Sequence, residues 1–186
     1  MRATRLLWIV AIVSACASPP EAPPRVPELP LAGMETELST LTIEHLARDA
    51  SDPGSLASLL EDAGFRSGSE RTYAGPGERF SLAVTRVLAF DDAEGAETYL
   101  AWLREHPSEF LGTVERLPPL DLPGSPFLTV HLPGGCCPKE VPIYLAAWRR
   151  GSAVVSLRVS GRGLEDDAVR ELVAQVDTTL REPAGA

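Results

Sequence analysis

The hydrophobic pattern between Phe80 and Leu103 changes period once, and that change dictates a strand followed directly by a helix. Phe80, Leu82, Val84 and Leu88 alternate onto one face, with Arg86 the exception, as an extended chain with one buried face requires. At Asp91-Asp92-Ala93-Glu94 the spacing shifts. Asp91 with Glu94 makes a capping-box pattern, and Ala96, Tyr99, Leu100 and Leu103 form a helical stripe that His106-Pro107 ends. Upstream, Arg71–Ala74 reads as a strand joined to Phe80–Phe90 through the turn residues Gly75-Pro76-Gly77. The same order recurs near the C-terminus. Val141–Arg149 and Ala153–Ser160 flank a hairpin signal at Arg150-Gly151, and a helix from Leu164 to Leu180 follows. Its apolar face is Val169, Leu172, Val173, Val176 and Leu180, and Glu165, Asp166 and Asp167 stand near the positive end of its dipole.

No residue-level repeat relates the two strand-strand-helix passages, so they are a common way of covering a sheet rather than a duplication. Between and before them, Asp52 caps a helix from Pro53 to Ala63 that Gly64 stops, and Leu38–Ala50 reads as a helix of irregular apolar spacing. Thr113–Leu117 and Phe127–Leu132 read as short extended segments on either side of a proline-rich loop. Short connections make adjacent strands antiparallel, which predicts a single α+β domain over residues 34–186, an antiparallel sheet covered on one face by helices. That element order resembles the Mog1/PsbP-like α+β modules of small secreted and lipid-anchored bacterial proteins, although no motif accompanies it.

The N-terminus carries a different kind of information. Arg2 and Arg5 precede an apolar run, Leu6 to Val13, too short to span a bilayer and followed by small residues. Val13-Ser14-Ala15-Cys16 resembles the lipobox of bacterial lipoproteins. The resemblance implies a signal peptide over residues 1–15 and a diacylglyceryl, palmitate-type anchor on Cys16, outside the cytoplasm. Ala17 rather than Asp after the cysteine implies, in a Gram-negative envelope, sorting to the outer membrane; otherwise the cell membrane is expected. Two or more acyl chains hold a protein stably where one does not. Residues 16–33, with prolines at 19, 20, 23, 24, 27 and 30, then read as an extended tether.

Loss of Arg2 and Arg5 with the leader takes the net charge from −9 to −11. That acidity argues against nucleic acid and anionic headgroups as partners. The chain has no Gly-x-Ser-x-Gly elbow, His-Glu-x-x-His, phosphate-binding glycine loop or Cys-x-x-Cys, and His45, His106 and His131 lack partner spacing. No catalytic residue, metal site or cofactor is therefore assigned, although a hydrolase site assembled from residues distant in sequence remains open. Asp91-Asp92 and Glu165-Asp166-Asp167 open helices and read as caps rather than calcium ligands.

Cys136-Cys137, beside Gly134-Gly135, is the unusual element. Three fates are open: a vicinal disulfide, a disulfide to a partner or a reactive thiol pair, and soft-metal binding with His131. Tyr144 and Trp148 share one face of a strand, and Phe127, Thr129 and His131 share one face of another, so a helix-free side of the sheet is a candidate aromatic binding face. These residues also suit core packing. The chain thus reads as a non-enzymatic, lipid-anchored envelope module that binds a small ligand or an envelope protein. The alternative is a thiol-redox or soft-metal role for Cys136 and Cys137.

Overall fold

A computed structural model of the chain describes residues 23–48, 50–75, 80–107, 114–131 and 141–181. Among the described residues, seven strands form one antiparallel sheet: β1 (Glu35–Leu41), β2 (Phe65–Ala74), β3 (Leu82–Phe90), β4 (Glu115–Arg116), β5 (Phe127–His131), β6 (Ile143–Arg150) and β7 (Ala153–Ser160). Their order across the sheet is β1-β2-β3-β7-β6-β5-β4. Helices α1 (Ile43–Ala47) and α2 (Pro53–Asp62) connect β1 to β2, α3 (Ala93–Glu105) follows β3, and α4 (Asp166–Arg181) ends the described chain.

The α+β class, the antiparallel sheet and the single domain are as the sequence implies, but the helical cover extends to both faces. Leu56, Leu60, Tyr99, Leu100 and Leu103 of α2 and α3 pack with Leu88, Phe90, Leu145, Ala147 and Val154 of the sheet. Val169, Leu172, Val173 and Val176 of α4 pack on the other face with Ala83, Val87, Tyr144, Ala146, Trp148, Val155, Leu157 and Val159. The central strands are apolar on both sides, so their sequence shows a run rather than an alternation.

Capping is largely where the pattern puts it. Asp52 accepts from Ser55 N at 3.1 Å, Pro53 opens α2, and Gly64 takes a left-handed φ of 69°. In α3 the cap falls one residue later than expected. Asp92 Oδ1 accepts from Glu94 N and Gly95 N, and Asp91 pairs instead with Arg66 Nε at 2.5 Å.

Three segments differ from expectation, the simplest being β2, which starts at Phe65 rather than at Arg71. The helix expected over Leu38–Ala50 is a strand in its first part, and only Ile43–Ala47 is helical, capped by Thr42. β1 is an edge strand whose residues Glu35–Leu38 are all exposed, Leu38 to 59%, and only Leu41 at its end is buried, so no buried face imposed a readable period. Part of the segment expected as a tether over residues 16–33 also belongs to the core. Val26 and Leu29 are buried in the α4-side core, and Leu29 N donates to the Tyr73 hydroxyl at 2.6 Å. Their spacing of three matches the repeat of polyproline II, which places both on one side of an extended chain. Residues 1–22, with Cys16, lie outside the described residues.

Two buried tyrosines give the fold a pH limit. Burial raises Tyr99 to about 12, opposed in part by Arg86. Burial also raises Tyr144 to about 12, with its hydrogen bond to Asp166 and the charges of Asp166 and Glu165 adding to the effect. A pKa raised by folding contributes stability below the unfolded value near 10 and loses it as pH climbs toward the folded value. Stability should therefore fall as pH climbs from about 10 toward about 12. Urea unfolding at stepped pH checks this, and Tyr144→Phe should make the slope shallower.

Candidate functional site

The structure separates the aromatic residues that the sequence grouped. Trp148 is fully buried beneath α4, where its Nε1 donates to Asp177 Oδ1 at 3.0 Å. Arg181 donates to Asp177 Oδ2 through Nε at 2.8 Å and Nη2 at 2.6 Å, and Arg150 Nη1 donates to the Asp177 carbonyl at 2.9 Å. Tyr144 lies on the same side, its hydroxyl donating to Asp166 Oδ1 at 3.0 Å. Both are core residues, and the helix-free aromatic face is not present because α4 occupies it. The β5–β6 register pairs Val130 with Tyr144 and Phe127 with Ala147, which puts Phe127, Thr129 and His131 on the opposite face. Phe127 is buried there, and His131 is half-buried at the end of β5.

The other chemical candidates do not converge either. His45 lies in α1, and His106 caps α3, stacked on Trp102 at 5.1 Å with its Nδ1 donating to the Trp102 carbonyl. Among the described residues no group of three or more His, Cys, Asp or Glu could hold a metal ion. Cys136 and Cys137 lie outside the described residues.

A cleft that the sequence did not signal lies on the Phe127 side of the sheet. It forms where the last turn of α3 meets β4 and the loop leading into β5. Its volume is about 380 Å³, and Arg104, Arg116, Ser125, Pro126, Phe127 and Thr129 are among the residues lining it. The loop is pinned at Gly124, whose φ is 79° and whose carbonyl accepts from Arg149 N at 2.9 Å. A side chain at Gly124 would meet Arg149 O at 2.2 Å, so the backbone fits only as glycine. Ser125 then takes a φ of 54°, a left-handed conformation that costs a non-glycine residue about 1–2 kcal/mol.

That strained turn aims the Ser125 carbonyl at α3, where it accepts from Arg104 Nη2. The Arg104 guanidinium sits over the Phe127 ring, 5.8 Å from its centroid. Arg116 pairs with Thr129 across β4–β5, so it stands on the same face, and its Nη2 donates to the Arg104 carbonyl at 3.4 Å. Among the described residues, the lining contains no carboxylate, imidazole or thiol, and its two guanidinium groups offer hydrogen-bond donors for binding.

No family model matches the chain, and no curated protein matches it. The fold is similar to that of the extracellular domain of PknH from Mycobacterium tuberculosis. The identity is 12%, the TM-score is 0.52, and the match covers 80% of this chain and 86% of that one. At that identity the likeness is one of fold.

A larger groove of about 1230 Å³ runs between β1, α1 and α2. Its charges are mixed, Glu44 and Glu61 against Arg48 and Arg66, and Arg66 is already paired with Asp91. The acidic recess at the start of α3 is occupied by its own capping, since Asp92 holds two backbone amides and Asp91 holds Arg66. Sequence reading missed Arg104 because a cation in the last turn of a helix is explained by the helix dipole alone. Gly124-Ser125-Pro126 was one turn signal among many in a proline-rich loop.

Proposed function

We propose that this chain is a lipid-anchored extracytoplasmic binding module, held at a membrane through Cys16 and receiving a small ligand in the two-arginine cleft. The observation that carries the binding reading is the cleft itself. It is near the lower end of small-molecule site volumes, apolar in part, and equipped with convergent polar groups. The lipobox resemblance supports the anchor. The fold shared with an extracellular domain fits the same compartment. No helix of the described residues is long and apolar enough to cross a membrane, so the reading assigns attachment to the lipid.

Intact mass spectrometry of the protein extracted from its native membrane tests the anchor. The expected mass is that of the chain from Cys16 onward plus acyl chains. A mass retaining residues 1–15, or recovery of unlipidated protein from the soluble fraction, removes it. Repeating the measurement with and without reductant and alkylation reports the state of Cys136 and Cys137, and two labelled thiols without reduction exclude the vicinal disulfide.

A further inference from the structure

We propose that the cleft selects a small organic anion, a carboxylate or phosphate carried on a compact apolar body. This rests on the binding reading above and names its ligand class. Acidic residues outnumber basic ones 26 to 17 in this chain, and five of its arginines are neutralised by carboxylates where they stand. Arg66 pairs with Asp91, Arg86 with Glu70, Arg149 with Glu97, and Arg150 and Arg181 with Asp177. Among the described residues, Arg104 and Arg116 form no such ion pair, yet both line one opening.

A guanidinium presents a planar fork of donors that matches a carboxylate or phosphate, and charge-assisted bonds are roughly twice as strong as neutral ones. The Arg104 fork is also placed in advance. It is held between the Ser125 carbonyl and the Phe127 ring, which lowers the entropy lost on binding, and Arg116 stands beside it with one hydrogen bond to the Arg104 carbonyl. Phe127, Pro119 and Pro126 offer an apolar surface beside the charge, so the body of the ligand has somewhere to pack. An anionic lipid headgroup carries the same phosphate, but a chain of this acidity is repelled by an anionic surface, which favours a soluble anion.

Isothermal titration of the detergent-solubilised full protein with phenyl phosphate, benzoate and the neutral analogue benzyl alcohol tests the assignment. Vesicles containing phosphatidylglycerol form a further arm. Phenyl phosphate and benzoate should bind, and binding should weaken as salt rises. Arg116→Gln should raise Kd about tenfold, and adding Arg104→Gln should raise it further. Arg116 is exposed and makes one long hydrogen bond, so Arg116→Gln should keep its melting temperature and remain interpretable if the double variant does not fold. Benzyl alcohol binding as tightly as phenyl phosphate, or anion binding unchanged in Arg116→Gln, overturns the anion assignment and leaves the binding module standing. Binding of vesicles but of no soluble anion overturns the soluble source. Binding of no probe at all overturns both readings.

Discussion

Trp148→Ala should lower the unfolding free energy by about 3–5 kcal/mol, the range for removing a fully buried large aromatic side chain. For a domain of this size that is a fall in melting temperature on the order of 10 °C. Two separate losses combine. The first is the cavity left between β6 and α4 where the indole had no exposed surface. The second is electrostatic: Asp177 is buried, and Trp148 Nε1, Arg181 and Arg150 are the donors around it. Withdrawing one donor from a buried carboxylate costs about 1–3 kcal/mol by itself. Trp148→Phe separates the two effects, because it keeps most of the apolar volume and loses only the N–H. Urea unfolding followed by circular dichroism should rank wild type above Trp148→Phe above Trp148→Ala. A Trp148→Ala protein as stable as wild type would return Trp148 to the candidate ligand-facing residues.

Gly95→Ala should be the second large effect, and its sign is opposite to the usual one. In an unobstructed helix, alanine is favoured over glycine by about 1 kcal/mol. At Gly95 the added Cβ would lie 1.9 Å from the Ala63 carbonyl oxygen and 2.9 Å from its carbon. Both are backbone atoms, so no side chain can rotate away, and α2 and α3 must move apart. Forcing such overpacking costs about 1–3 kcal/mol, sometimes more. Gly54→Ala is the control, since its Cβ would meet only Asp52 Oδ1 at an ordinary 3.7 Å. Thermal melts should show Gly95→Ala destabilised and Gly54→Ala at or slightly above wild type. Equal melting temperatures for the two would mean that the helices tolerate a wider spacing than the structure has.

Helices α2 and α3 were legible because each carries its own instructions. Asp52-Pro53 and Gly64 bracket one, and the period change at Asp91 to Glu94 announces the other. The hairpin at Arg150-Gly151 was legible for the same reason, with Gly151 at a φ of 57°. β1 was not, because an edge strand exposed over Glu35–Leu38 has too little burial to impose a pattern. The first half of β2 was also missed, since Ser67, Ser69 and Glu70 carry no apolar alternation and become strand through pairing with neighbouring strands. Which face Trp148 occupies depends on where α4 docks, a contact between residues 29 positions apart that no local window contains. The cleft is equally nonlocal. Arg104, Arg116 and Ser125 are each unremarkable in sequence, and only the β4–β5 register and the left-handed turn bring them together.

The seating of Val26 and Leu29 against the sheet changes how far the domain can roam. Under the anchor proposed at Cys16, ten residues precede Val26, where the proline-rich stretch to Gly33 would have left seventeen. At about 3.5 Å per residue, the maximum radius shrinks from roughly 60 Å to roughly 35 Å. The accessible hemisphere scales as the cube of that radius, so it contracts about fivefold. Any target fixed in the same leaflet and within reach then meets the module at a local concentration about fivefold higher, without a single added contact.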